Sequence, residues 1–137
     1  MARRLLVAAF MVAIMASPAL AKGGPSGGSS KTSDPSIAVN QANPYLGEVV
    51  TYTVSYPSSD KNPRVQVMCY QGGVMVYGEA EAVGVPFTLG GGSSQWLTNG
   101  GPASCEADLY NLVWNGNQMQ QVTMLASTYF DAAGAPA

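Results

Sequence analysis

From Ser36 to Phe130 hydrophobic and polar residues alternate with a period of two, not the 3.6 of an amphipathic helix. The clearest run is EVVTYTVSY (48–56). Val50, Tyr52, Val54 and Tyr56 fall on one face, and Thr51, Thr53 and Ser55 on the other. RVQVMCYQ (64–71) repeats the pattern, with Val65, Val67 and Cys69 opposed to Gln66, Met68 and Tyr70. Further short runs are SIAVN (36–40), VMVYGEAEA (74–82), VPFTL (85–89), SQWLT (94–98), ASCEADLYNLVW (103–114) and QMQQVTMLASTYF (118–130). Turn-forming residues separate them: NPYLG (43–47), PSSDKNP (57–63), Gly72-Gly73, a glycine-rich stretch at 90–92, NGGP (99–102) and NGN (115–117). No stretch has helical periodicity. About seven or eight short strands with regularly spaced turns predict an all-β, antiparallel two-sheet sandwich, which fits this strand count better than a closed barrel.

The two ends of the chain depart from this pattern. MARRLLVAAFMVAIMASPALA (1–21) has a basic start, a short apolar core from Leu5 to Ala16, a break at Pro18 and an A-x-A ending. This predicts a cleaved secretory signal peptide, since the apolar core is shorter than the roughly 20 residues that span a bilayer. KGGPSGGSSKTSDP (22–35) is too poor in apolar residues to fold and reads as a flexible linker. Residues 131–137 (DAAGAPA) read as a loose, disordered tail. The expected domain is therefore 36–130, in a protein that is secreted or retained in a periplasm or cell wall.

Charge changes the picture by exclusion. The full chain carries a net charge of −2, and loss of Arg3 and Arg4 with the leader brings it to −4. Four scattered cations give no electrostatic footprint for nucleic acid and little hold on an anionic membrane. The chain has two cysteines, Cys69 and Cys105. Each alternates with small or apolar residues, Cys69 with Val65 and Val67, Cys105 with Ala103, Ala107 and Leu109. Both point inward, and an exported chain permits oxidation, so a core disulfide is expected between them.

SIAVN followed by GEVVTYTVSY (47–56) resembles the first two strands of bacterial immunoglobulin-like domains. WLTNGGPASCEADLY (96–110) is similar to a Trp, Gly-Gly, A-x-C-x-A stretch of small secreted bacterial members of that family. The resemblance covers roughly 36–130 and implies an immunoglobulin-like or fibronectin-III-like sandwich with binding, adhesion or structural roles. It departs from antibody-type domains in three respects. The cysteines are closer in sequence, Ala103 stands where the corner tyrosine would be, and Trp96 lies near the second cysteine. The implied strand order makes the two cysteine strands neighbours in one sheet, so the bridge would be cross-strand and not between sheets. Trp96 is a candidate to pack on it. The absence of N-x-[ST] sequons fits the bacterial reading.

Catalytic chemistry is thinly supplied. The chain has no histidine, which removes Ser-His-Asp and Cys-His catalysis and the commonest zinc ligand. LGGGSS (89–94) is glycine-rich, but the pattern shows no helix after it to present amides to a phosphate, and it reads as a flexible loop. Glu79 with Glu81, and Glu106 with Asp108, each share a strand face. No calcium-loop spacing accompanies them, and they read as a solvated strand face that also discourages edge pairing. No enzyme activity, metal or cofactor is expected.

Aromatic residues leave a binding reading open. If strands 64–71 and 103–114 are neighbours, one outward face collects Gln66, Met68, Tyr70, Glu106, Asp108 and Tyr110. Tyrosine among polar groups suits recognition of protein or sugar. Trp114, beside Asn115-Gly116, is a candidate loop anchor. The leading expectation is a non-catalytic binding or adhesion module for a protein or carbohydrate ligand at the cell surface. A self-associating subunit of an extracellular filament or surface layer is the alternative, with SIAVN as a strand to donate.

Overall fold

The computed structural model describes residues 34–137. The expected leader (1–21) and nearly all of the linker (22–35) lie outside the described residues. Within them the chain forms β1 (Ser36–Val39), β2 (Val49–Val50), β3 (Tyr52–Ser55), β4 (Pro63–Gln71), β5 (Val74–Ala82), β6 (Phe87–Thr88), α1 (Ser94–Asn99), β7 (Ala103–Asn115) and β8 (Gln118–Ala132). The alternating runs thus become strands, and every ladder is antiparallel. The principal sheet has the order β5-β4-β7-β8, and two small pairs, β1-β3 and β2-β6, complete the strands. Gly72 and Gly73, with φ of 55° and 80°, close the β4–β5 hairpin. Two positive φ values in succession fit a two-residue primed turn, which glycine adopts without strain.

The period-two faces fold inward as the pattern requires. Val65, Val67, Cys69, Tyr77, Cys105, Ala107 and Leu109 of the large sheet share one core with Ile37, Val50, Phe87, Leu89 and Trp96. Cys69 and Cys105 are direct cross-strand partners on β4 and β7 and form a disulfide, with Cα atoms 4.1 Å apart. Their separation matches the narrow, non-hydrogen-bonded class of antiparallel pair, where side chains approach most closely. The bridge therefore lies within one sheet.

Tyr52 closes this core from the other side. Its ring meets Phe87 edge-on at a centroid distance of 5.7 Å and is tilted against Phe130 at 6.4 Å. Its hydroxyl is buried with no hydrogen-bond partner, and burial pushes the phenol above the ordinary tyrosine range. An unpaired buried hydroxyl carries a desolvation cost that nothing offsets. Tyr52→Phe keeps the ring and removes that cost. Stability is expected to stay level or rise by about 1 kcal/mol. Urea denaturation reads the change, and a loss of comparable size would show that the hydroxyl is bonded.

The structure departs from the alternating pattern at four places. SQWLT is helix, not strand: Ser93 caps α1 by accepting from the Trp96 amide at 3.2 Å, and Gly100 ends it at φ 65°. A serine N-cap and a left-handed glycine outweigh five residues of ambiguous alternation. The glycine-rich loop 89–94 is therefore followed by a helix, contrary to expectation, but Ser93 already occupies its N-cap and the helix has only six residues. The run 48–56 is split at Thr51, where Val49–Val50 pairs with β6 and Tyr52–Ser55 with β1. The register of β5 slips so that Val76 is an extra residue, and Val76 and Tyr77 are both buried. Such a bulge breaks alternation locally, and the Ser93 hydroxyl donates to the Val76 carbonyl beside it. Finally, residues 131–135 are held, not loose. Asp131 and Ala132 belong to β8, the Ala133 amide donates to Pro44 O at 2.8 Å, and the Ala135 amide to Gly100 O at 2.9 Å. Backbone groups make these bonds, so side-chain pattern could not announce them.

Candidate functional site

Strand register decides which side chains meet on the outer face of the large sheet. On β4 and β7, Gln66 stands opposite Asp108, Met68 opposite Glu106, Tyr70 opposite Ser104 and Arg64 opposite Tyr110. All four pairs alternate with the core pairs Val65–Leu109, Val67–Ala107 and Cys69–Cys105. The structure therefore brings Gln66, Met68, Tyr70, Glu106, Asp108 and Tyr110 onto one face. Their exposure is uneven. Asp108 and Tyr110 are buried, whereas the other four are half-buried. Asp108 is satisfied by its β8 partner, with Ser127 Oγ donating to Oδ1 at 2.6 Å. Tyr70 donates its hydroxyl to Met68 Sδ at 3.5 Å.

The most exposed member of this face was not among the six. Tyr129 on β8 is the partner of Glu106 and is 73 % exposed. A hydrogen bond and the negative charge of Glu106 push its phenol upward from the ordinary tyrosine value. The available surface is thus Tyr70, Glu106 and Tyr129 above a floor of Met68 and Gln66. At the Tyr70 end it opens into a groove of about 660 Å³ that includes Gln71, Asn99, Pro102, Ser104 and Asp131. Gln71 fixes this rim by donating to Asn99 Oδ1 at 3.0 Å and to Pro102 O at 3.0 Å. Its wall contains backbone and amide groups beside one acid, Asp131, whose Oδ1 accepts from Ser104 Oγ at 3.2 Å.

The other acidic pair sits elsewhere. Glu79 and Glu81 stand opposite Val67 and Val65, at the margin of the core face and on the edge strand β5. Tyr77 donates to Glu79 Oε2 at 2.5 Å. Burial first, and then this carboxylate, push the Tyr77 phenol far upward, so it remains a donor. Inward charges on an edge strand discourage pairing with another sheet. Glu106 and Asp108, in contrast, are on an interior strand and have no such role. Among the described residues no cluster of three potential ligands could hold a metal ion.

Trp96 is fully buried, its ring tilted against Tyr77 at 6.1 Å and its Nε1 donating to Gly101 O at 2.8 Å. Tyr77 is the cross-strand partner of Cys69, so the indole sits beside the disulfide's neighbour. Trp114 lies apart from the outer-face residues. It is half-exposed near the tip of the β7–β8 hairpin, opposite Met119, and forms one wall of a cavity with Tyr56, Lys61 and Arg64. No family model, no curated protein and no solved structure matches the chain, so the reading of this surface rests on its own geometry.

Proposed function

We propose that this chain is a non-catalytic binding module, an immunoglobulin-like β-sandwich that works outside the cytoplasm and recognises a protein or a glycan. The observation that carries this reading is the outer face of the β5-β4-β7-β8 sheet. There, cross-strand register assembles Tyr70, Glu106 and Tyr129 beside a groove with fixed amide and backbone groups. Rigid tyrosines supply contact area at low entropic cost, and the acid and amides supply direction. An intrachain disulfide favours an oxidising compartment. Among the described residues no helix is long and apolar enough to cross a membrane. The likeness of 36–56 and 96–110 to bacterial immunoglobulin-like proteins supports an adhesive role.

Screening the purified protein on an array of cell-surface glycans and proteins tests the reading. Binding is expected to fall at least about tenfold in Tyr70→Ala/Tyr129→Ala, as for the loss of aromatic anchors at an interface. Full binding by that double variant would remove the sheet face as the site.

A second reading, a self-assembling subunit, is favoured by β8. This 15-residue strand is an edge of its sheet and exposes Met119, Val122 and Met124. Long edges of this kind template pairing with another chain. Light scattering after size exclusion separates the two readings. A molar mass that stays monomeric as concentration rises excludes assembly, and a ladder of oligomers displaces the binding-module reading.

A further inference from the structure

At the Pro63 end of the large sheet, away from the Tyr70 groove, lies a cavity of about 480 Å³. Its walls include Tyr56, Lys61, Asn62, Arg64, Leu112 and Trp114. We propose that this cavity is a second binding site, and that its ligand is a carboxylated saccharide. The inference stands apart from the sheet-face reading.

Charge distribution gives the first argument. Lys61 and Arg64 are the two cations of residues 34–137, which also carry eight acids. Both cations line the same cavity. Neither is spent on an ion pair with a described carboxylate. Arg64 gives one N–H to Ala80 O at 3.1 Å and keeps the rest of its donors. Asp60, adjacent to Lys61, lines no part of the cavity, and its Oδ1 accepts from Asn111 on β7 at 3.3 Å. A concave site holding all the positive charge of an otherwise acidic domain focuses attraction on an anion.

The remaining lining selects the kind of anion. Three main-chain donors at the rim are already used. The Asn62 amide donates to Asn111 Oδ1 at 3.0 Å, Leu112 N to Asn62 O at 3.2 Å and Val83 N to Pro63 O at 3.4 Å. A peptide bound by strand addition depends on main-chain pairing and would find few free donors here. What is left is side-chain capacity: two cations, the Asn62 Oδ1 acceptor and the rings of Tyr56 and Trp114. A carboxylate for Arg64 and Lys61, a hydroxyl donor for Asn62 and an apolar ring face for the indole describe an acidic sugar. The volume lies within the range of small-ligand pockets, and guanidinium matches carboxylate geometry with two parallel bonds.

Calorimetric titration of the full chain with three probes tests this. The probes are a hexuronic-acid trisaccharide, its neutral hexose counterpart and a (Glu-Gly)3 peptide. The uronate is expected to bind about tenfold or more tighter than either comparator, and to weaken as salt rises. Lys61→Gln, Arg64→Gln and Trp114→Phe are each expected to weaken it several-fold, with Lys61→Arg retaining most of the affinity. Trp96 is fully buried, so a change in tryptophan emission on binding reports Trp114 and should vanish in Trp114→Phe. Equal binding of the neutral sugar, preference for the peptide, indifference to the Lys61 and Arg64 changes, or no uronate binding at millimolar concentration would each overturn the proposal. If Arg64→Gln fails to fold, the exposed Lys61→Gln and Trp114→Phe variants decide it alone.

Discussion

Replacing Trp96 with alanine is expected to destabilise the fold by about 3–5 kcal/mol, a large share of the total stability of a small domain. The indole is fully buried, and three features hold it in one orientation. Its ring rests against Tyr77, its Nε1 donates to Gly101 O, and the loop at Gly90 closes over it, so that a Cβ there would lie 3.2 Å from Trp96 Cε3. Alanine would leave a cavity between α1 and β5 whose walls are tied by the Ser93 bonds and cannot simply collapse. Gly101 O would still lie 3.1 Å from Gln71 Nε2, which shares its two N–H groups with Asn99 Oδ1 and Pro102 O, so the loss is mainly packing, not an orphaned carbonyl. Trp96→Phe should accordingly cost less, about 1–2 kcal/mol. Urea denaturation of the three proteins gives the order. An alanine variant within about 1 kcal/mol of the parent would mean that the indole is not part of the core.

Loss of the disulfide is the second large effect. Cys69 and Cys105 are 36 residues apart in sequence and directly opposed in the β4–β7 ladder. The ladder already joins these strands from Pro63–Asn111 to Tyr70–Ser104, so the bridge adds little new contact to the folded chain. Its effect falls on the unfolded chain, whose freedom it restricts. The chain-entropy relation gives about 4 kcal/mol for a loop of this length. For a domain of this size that corresponds to a fall in Tm of roughly 15–30 °C. Reduction of the parent isolates the loop effect. Cys69→Ala/Cys105→Ala adds the loss of two buried sulfurs and should be somewhat less stable than the reduced parent. Coincident melting curves for oxidised, reduced and double-alanine protein would show that the loop is ordered even when unfolded.

Much of the fold follows from residues read in pairs and turns. Val65, Val67 and Cys69 alternate strictly, and the glycine pair after Gln71 fixes the hairpin, so β4 and β5 are legible within a residue. Partner identity is harder. Thr51 continues the alternation without a break, yet the ladder changes there, because β1 precedes this run in the chain and β6 follows it more than thirty residues later. The Trp96 segment misleads because five residues cannot separate two periods, and its signal lies in Ser93 and Gly100 on either side.

The two surfaces differ in the same way. Gln66, Met68, Tyr70, Glu106, Asp108 and Tyr110 could be grouped from two alternating strands and one guess of adjacency. Which of them stay accessible could not be read, since the Asp108–Ser127 bond depends on β8 register. Tyr129 was reachable through the NGN hairpin. However, the register slips between Leu109 and Tyr110 and between Val113 and Trp114 make counting from that turn unreliable. The cavity at Pro63 joins Tyr56, Lys61, Arg64 and Trp114 from segments with no common periodicity, so only folding reveals it.

The clasp formed by residues 133–135 sets an order of events for a chain made from one end to the other. Pro44 and Leu46 wait for Ala133, and Gly100 O waits for Ala135, so neither partner is available until synthesis has passed both. β8, which supplies the longest ladder, also comes after every other strand. The β7–β8 hairpin is local, but the Pro44–Ala133 and Leu46–Ala133 bonds join residues far apart in sequence, and such contacts form slowly and late. The sheet can pair as far as β7 beforehand, but the segment at Pro44–Leu46 and the end of α1 are tied down only once residue 135 is free to reach back.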